Sequence, residues 1–266
     1  MQSYETAICP LLREAGRRIL SACDVEHTGR VSEKGEDAAN LVTAYDTAVQ
    51  EYLVRELSAL YPGARFLAEE QENDPAVLGA ECCFVIDPID GTANFVHGLR
   101  CSAISLSLLT HGEAVFAAVY DPYLDELFTA VRGGGAFLNG RRILVASRPP
   151  HRAMTVFGTS PYAKERYAAP TFRLAEALFR KTRDVRRSGS AALDLAHLAA
   201  GRIDVFFELT LSPWDIAAGI LLIREAGGRI TDLAGDPPGL GGTTSVLAAS
   251  AACYDFLFAE ATAILS

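Results

Sequence analysis

Residues 82–94 read CCFVIDPIDGTAN, and this stretch places an acidic turn directly after an apolar run. Such a run is typical of a short buried strand. Asp87 and Asp90 lie three residues apart at its carboxyl end, and Gly91 and the hydroxyl of Thr92 follow. Carboxylate oxygens at a turn suit Mg²⁺, and backbone N–H groups freed around a glycine can face a phosphate. The alternative is an Asx-type turn that only closes the strand.

Three further acidic segments favour a metal site over a turn that only closes the strand. Asp46 begins a helical pattern, Glu69 and Glu70 follow a short strand, and Asp215 lies in the first turn of an apolar helix. Each alone has an ordinary explanation, either a helix-capping acid or a solvated acidic loop. Together they supply carboxylates at strand ends and helix starts, where ligands gather in α/β proteins. Phosphoryl chemistry with two or three metal ions needs such convergence.

The composition is that of a soluble globular enzyme. Half of the 266 residues are hydrophobic and 21% are charged, so the chain can bury a large core. A formal net charge of −9, without a block of Lys and Arg, argues against a nucleic-acid partner. No apolar segment resembles a signal peptide or a membrane span, so we expect a cytoplasmic protein with no membrane partner. The six cysteines show no Cys-x-x-Cys spacing, and we expect scattered thiols.

The order of elements predicts a mixed α/β fold of helix and sheet layers. Apolar periodicity predicts helices over 4–23, 43–60, 167–179, 191–200 and 214–226. Short apolar runs predict strands over 65–68, 82–86, 154–158, 203–208 and 229–231, with a loop over 33–40 and a basic turn over 186–190. Runs over 102–109, 114–120 and 126–130, with a hairpin signal at 139–140, predict an antiparallel meander.

The chain is expected to form a single domain over 1–266, with the option of two lobes. The lobes would span 1–147, carrying the metal ligands, and 148–266, carrying the substrate side. The boundary is suggested by Pro149 and Pro150, since a proline pair interrupts both helices and strands.

Taken together, the motifs resemble those of the inositol monophosphatase family, within the wider group of Mg²⁺-dependent, lithium-sensitive phosphatases. The segments that carry the likeness are 41–46, 66–70, 87–97, 133–140, 214–219 and 225–228, in the expected order. The likeness spans residues 5–250, nearly the whole chain. It implies a layered α/β sandwich and a homodimer.

The resemblance also implies the metal ligands. Glu69, Asp87 and the backbone carbonyl of Ile89 would bind a first Mg²⁺ ion. Asp87, Asp90 and Asp215 would bind a second, and Glu69 would help to hold a third. Of these residues Glu69 is also expected to act in catalysis.

The remaining implied roles concern water and substrate. Asp46 and Thr92 would orient and deprotonate the attacking water. The residues expected to contact substrate are Asp90, Gly91, Thr92, Gly189, Ser190, Ala191, Glu208 and Asp215. Glu208 would accept hydrogen bonds from substrate hydroxyls, with a strand-end surface acid as the alternative. The roles of Arg186 and Arg187 stay open, between the mouth of the site, the partner subunit's side in a dimer and a solvated turn. Lys34 resembles a basic residue of the family's mobile loop, and its role also stays open.

The function implied is hydrolysis of a small phosphorylated polyol or sugar, with myo-inositol 1-phosphate as the first candidate. Fructose-1,6-bisphosphatase and histidinol-phosphate phosphatase activities are alternatives on the same fold. A regulatory or interaction protein that retains the fold is the alternative from another class, against which the intact carboxylates argue.

Overall fold

The computed structural model describes residues 4–22, 31–33 and 41–265. Its helices are α1 Tyr4–Leu20, α2 Ala44–Leu60, α3 Thr92–Val96, α4 Lys164–Lys181, α5 Ala191–Ala199, α6 Pro213–Glu225 and α7 Tyr254–Leu265. Short 3₁₀ segments lie at Pro75–Gly79, Pro150–Arg152 and Pro161–Ala163. Within these residues no helix is long and apolar enough to span a bilayer.

The strands form two large sheets and one small pair. The pair is β1 Val31–Glu33 with β2 Leu41–Thr43. The strands of the first half are β3 Arg65–Ala68, β4 Cys83–Asp90, β5 Ala103–Thr110, β6 Glu113–Asp121, β7 Glu126–Val131, β8 Gly135–Leu138 and β9 Arg141–Ile143, hydrogen-bonded in chain order. Those of the second half are β10 Met154–Phe157, β11 Asp184–Arg186, β12 Val205–Leu211, β13 Arg229–Thr231 and β14 Thr244–Ala249, in the order β11-β10-β12-β14-β13.

Helices and sheets alternate in five layers, as the layered α/β prediction requires. Helices α1 and α2 pack on the outer face of the seven-stranded sheet. Helices α5 and α6 fill the space between the two sheets, and α4 and α7 cover the outer face of the five-stranded sheet. Neighbouring residues on β12 show the alternation, because Phe206 packs against the central helices and Phe207 against the outer pair.

Strand β4 is buried along its whole length, which explains its apolar sequence. The predicted strand over 82–86 is too short, because pairing with β5 continues through Asp87 and Asp90. An irregularity in register between these two residues lets both carboxylates leave the sheet at its end. Asp87 and Asp90 therefore belong to the strand itself, and the turn begins only at Gly91.

Most other predicted elements are confirmed with shifted ends. The meander is antiparallel from β4 through β9, with a hairpin at residues 139–140. The helix predicted over 167–179 begins at Lys164 and runs through Pro170. Arg186, the first residue of the predicted basic turn, is the last residue of strand β11. The pattern did not predict β14 and α7. Residue 23 and most of the predicted loop over 33–40, with Lys34, lie outside the described residues.

The proposed lobe boundary falls between the sheets, since β9 ends at Ile143 and β10 begins at Met154. The central helices α5 and α6 pack against strands of both sheets. The division into two lobes stays a prediction.

Candidate active site

A cavity of about 550 Å³ opens where the end of β4 meets the first turns of α5 and α6. Apart from Asp46, every site residue expected from the sequence lies on its wall: Glu69, Asp87, Ile89, Asp90, Gly91, Thr92, Gly189, Ser190, Ala191, Glu208 and Asp215. The fold therefore brings together residues that are up to 146 positions apart in the chain (69 to 215). Such a volume suits a small-molecule ligand.

Gly91 turns the chain from β4 into α3 at the cavity wall. Its φ of +91° is the left-handed conformation that glycine adopts most readily. A β-carbon there would lie 3.0 Å from the carbonyl oxygen of Cys101 and 3.1 Å from that of Gly189. The backbone conformation and the close approach of two other chain segments both require glycine at this position.

Asp87, Asp90 and Asp215 form the acidic centre of the cavity. Each has one carboxylate oxygen within 4.8 Å of the others. Burial raises the pKa of Asp87 well above its usual range, and the charges of Glu69, Asp90 and Asp215 raise it further. Burial and the charges of Asp90 and Glu69 act in the same direction on the pKa of Asp215. Buried carboxylates that repel one another in this way are the oxygen donors that a hard divalent cation stabilises.

Glu69 follows β3 and lies on the same wall, although its carboxylate is not among the three that lie within 4.8 Å of one another. Its backbone N–H donates to the carbonyl oxygen of Ile86, which continues the pairing of β3 with β4. The side chain is thereby held beside β4, and its charge contributes to the raised pKa of Asp87, Asp90 and Asp46.

Asp46 lies behind the wall and reaches the cavity through Thr92. The carboxylate closes a capping box at the start of α2, where the backbone N–H of Thr43 donates to Oδ2 at 2.8 Å. The hydroxyl of Thr92 lies 3.3 Å from Asp46 Oδ1 and 3.1 Å from the carbonyl oxygen of Ile89. Burial raises the pKa of Asp46 to about 6, against the hydrogen bonds from Thr43.

Asp90 joins β4 to α5. Its Oδ2 accepts a hydrogen bond from the backbone N–H of Ala192 at 2.8 Å and another from the hydroxyl of Ser190. Burial raises the pKa of Asp90 to about 6, and these two hydrogen bonds oppose that shift. The Oδ2 oxygen of Asp90 is thus held by the first residues of α5.

Glu208 on β12 is buried and tied to the segment that follows β10. Its Oε1 accepts from the backbone N–H of Ser160 at 2.8 Å and from the Ser160 hydroxyl at 3.2 Å. Burial raises its pKa to about 7. Across the described chain Oε2 has no hydrogen-bond partner, and it lies over Gly158, where a β-carbon would come within 1.7 Å. The alternative of a solvated strand-end acid is wrong, because Glu208 is only 7% exposed.

The two arginines left open by the sequence are separated by the structure. Arg187 lies on the cavity wall and donates to the hydroxyl of Thr159 at 3.1 Å. Arg186 bonds instead to Asp184 and to the carbonyl oxygen of Val185. His97 also lies on the wall and is exposed.

Sequence reasoning missed the contribution of Gly158, Pro161, Tyr162 and Asp194 to the wall. The first three follow β10, which runs parallel to β11 and β12. Carboxyl ends of parallel strands lie at one sheet edge, so residues after β10, β11 and β12 share a location. Recognising these strands as parallel neighbours would have placed residues 158–162 beside Glu208.

The sequence is similar to those of known proteins over most of its length. Residues 1–265 match the inositol monophosphatase family. The chain is 41% identical over 225 residues to an inositol-1-monophosphatase of Mesorhizobium japonicum, covering 84% of this chain and 82% of the relative. It is 40% identical over 224 residues to the Nus factor SuhB of Escherichia coli K12, with the same coverage.

A solved structure has the same architecture. The Thermotoga maritima IMPase superposes with a TM-score of 0.87 at 31% identity, covering 100% of this chain and 98% of the other. With the acidic cavity formed by the segments expected from the sequence, these similarities show that the chain belongs to the inositol monophosphatase family.

Proposed function

We propose that the protein is a Mg²⁺-dependent phosphomonoester hydrolase that acts on a small phosphorylated polyol. The observation that carries the proposal is the group of three carboxylates, Asp87, Asp90 and Asp215, within 4.8 Å of one another in a cavity of substrate size. Three anionic groups this close, two of them buried, need a compensating positive charge.

The donor set fits Mg²⁺. All the side-chain donors are carboxylate oxygens, which hard cations prefer, and no nitrogen or sulfur donor is part of the described group. Asp87, Asp90 and Asp215 would hold the ions, with Glu69 and the carbonyl oxygen of Ile89 completing the set for two or three of them. When bound, the cations supply positive charge against the substrate phosphate and favour deprotonation of water.

The chain's own residues provide the proton acceptor. Asp46 Oδ1 lies within reach of the Thr92 hydroxyl, so a water that donates to Thr92 can pass its proton toward the carboxylate. The capping box at α2 fixes Asp46 in place, so little reorganisation is needed during this transfer. Gly91 and Thr92 line the cavity beside the carboxylates, where backbone N–H groups can donate to a phosphate.

The proposed substrate class is supported by Glu208, which lines the same cavity. Glu208 offers Oε2 as an acceptor without a partner in the described region, which suits a hydroxyl of a polyol. Gly189, Ser190 and Ala191 also line the cavity. We propose myo-inositol 1-phosphate as the substrate, in a lithium-sensitive, cytoplasmic homodimer. Fructose 1,6-bisphosphate and histidinol phosphate are the alternatives on the same site.

The decisive experiment is a panel of phosphate esters assayed with purified protein, with Mg²⁺ or with EDTA. The panel contains myo-inositol 1-phosphate, fructose 1,6-bisphosphate, histidinol phosphate and p-nitrophenyl phosphate. We expect Mg²⁺-dependent release of phosphate, fastest from the inositol ester and inhibited by Li⁺. Light scattering tests the homodimer in the same preparation, and a monomer would refute that part of the proposal.

Asp87→Asn tests the metal site directly. The change removes a shared charge with little change in volume, so we expect most activity to be lost with the fold intact. Mg²⁺ should also raise the melting temperature of the wild type but not of this variant. Asp255→Asn is the control, since the Asp255 side chain is 89% exposed in an ion pair on α7. Turnover like that of the wild type in Asp87→Asn at saturating Mg²⁺ would contradict the assignment.

The relatives called Nus factor SuhB favour a second candidate, a role in which the protein acts without catalysis. Under that alternative the acidic cavity would be retained without turnover. The ester panel separates the two candidates, because a chain that binds Mg²⁺ but hydrolyses none of the four esters would support the second.

A further inference from the structure

Tyr162 is an exposed aromatic residue on the wall of the acidic cavity. It belongs to the short 3₁₀ segment Pro161–Ala163, and the residue is 60% exposed. Throughout the part of the chain that the structure describes, its side chain has no hydrogen bond and no ring partner. An aromatic ring left open to solvent within a ligand-sized cavity is available to contact a ligand.

The position of Tyr162 is determined by the residues just before it. Ser160 has a φ of +45°, a left-handed conformation that is unfavourable for a non-glycine residue. Its backbone N–H and its hydroxyl bond Glu208 Oε1, and the hydroxyl also lies 3.1 Å from the carbonyl oxygen of Thr210. These contacts with β12 hold a strained turn, and the turn directs the next two residues over the cavity.

Tyr162 and Glu208 line the same cavity as the carboxylate group Asp87, Asp90 and Asp215. A substrate whose phosphate is held by that group would therefore place its alcohol part within the cavity that Glu208 and Tyr162 line.

We infer that Tyr162 is a specificity-determining residue whose ring face packs against the cyclic part of the substrate alcohol, while Glu208 accepts from a hydroxyl of that ring. This inference rests on the proposed phosphatase function. The apolar C–H face of a cyclic polyol and the face of a nucleobase can each pack against an aromatic ring. An open-chain alcohol such as glycerol presents no such face.

The test compares Tyr162→Ala and Tyr162→Phe with the wild type on three esters: myo-inositol 1-phosphate, 2′-AMP and glycerol 2-phosphate. For a ring-bearing ester we expect Tyr162→Ala to lower kcat/KM about tenfold, mainly through KM, which corresponds to about 1.4 kcal/mol. Tyr162→Phe retains the ring face and should stay within about twofold of the wild type. Phe179→Ala is the control, because Phe179 on α4 is 54% exposed but does not line the cavity.

The results distinguish the possible roles. A loss with both ring-bearing esters assigns the contact to a cyclic polyol or sugar, and a loss with 2′-AMP alone assigns it to the base. An equal loss with glycerol 2-phosphate, or no loss with any ester, overturns the inference. A wild-type chain that hydrolyses no ester refutes the proposed function. In that case the affinities of the wild type and of Tyr162→Ala for the same esters are measured by calorimetry. The inference fails if Tyr162→Ala leaves these affinities unchanged.

Discussion

Gly158→Ala is the substitution that most directly tests how the substrate wall is built. A β-carbon at Gly158 would lie 1.7 Å from Glu208 Oε2 and 2.0 Å from its Cδ. Contacts below 3.0 Å do not occur, so the Glu208 carboxylate must leave its place. The backbone of Gly158 is outside the left-handed region, so the effect is purely steric.

The size of the effect follows from what Glu208 loses. Its Oε1 accepts two hydrogen bonds from Ser160, and hydrogen bonds to charged groups are worth about 1.5–3 kcal/mol each. The displaced carboxylate can move into the open cavity and regain water, which offsets part of the loss. We expect the free energy of unfolding to fall by about 2 kcal/mol. We also expect kcat/KM for myo-inositol 1-phosphate to fall about tenfold, with p-nitrophenyl phosphate nearly unaffected.

Urea unfolding and steady-state kinetics measure both effects. Gly79→Ala is the matched control, because no atom lies within 4 Å of a β-carbon at that position. The double variant Gly158→Ala/Glu208→Ala should be no less stable than Glu208→Ala alone, since the clash is removed with the carboxylate. Additive losses in the double variant, or stability like that of the wild type in Gly158→Ala, would refute the steric argument.

Three further predictions concern separate parts of the molecule. Thr92→Ala should lower kcat about 10²-fold or more while the Mg²⁺-induced rise in melting temperature persists; recovery of kcat with added Mg²⁺ would count against a role in proton transfer. Burial, and then the charge of Arg202, lower the pKa of His197 to about 4, so the unfolded chain takes up a proton that the folded chain does not. The free energy of unfolding therefore falls as pH falls from 6.5 toward 4, by about 2 kcal/mol after solvent screening. In urea unfolding at a series of pH values, His197→Phe should lose less stability over this range than the wild type. Arg148→Ala should lower the free energy of unfolding by about 3 kcal/mol, because Asp204 is fully buried and both its oxygens accept from Arg148; an unchanged midpoint in urea would contradict this.

The acidic residues of the site could be predicted because local pattern and chemistry agree there. Asp87 and Asp90 follow an apolar run, and Asp215 follows a Ser-Pro helix start, so each location is encoded within a few neighbouring residues. The convergence of these segments was implied by the family resemblance, and the structure brings them together.

The contacts between distant segments could not be predicted in the same way. Nothing local to Glu208 indicates that one of its oxygens bonds Ser160, 48 residues away. Tyr162 follows a short strand whose parallel neighbours are set by long-range pairing, and it was therefore not recognised. Strand β4 was predicted too short because Asp, Pro and Asp are unfavourable in strands, whereas pairing with β5 outweighs that local preference.

The hydrogen bonds from Ser190 and Ala192 to Asp90 can form only after the second half of the chain has been synthesised. Asp46, Glu69, Asp87 and Asp90 lie within the first 90 residues of the chain, but the groups that donate to Asp90 come about a hundred residues later, and Asp215 later still. A nascent chain lacking α5 and α6 would hold mutually repelling carboxylates with no fixed geometry. If the proposed Mg²⁺ site exists, we therefore expect high affinity for the ion only once both sheets pack against α5 and α6. Metal binding would then occur only in the completely folded chain.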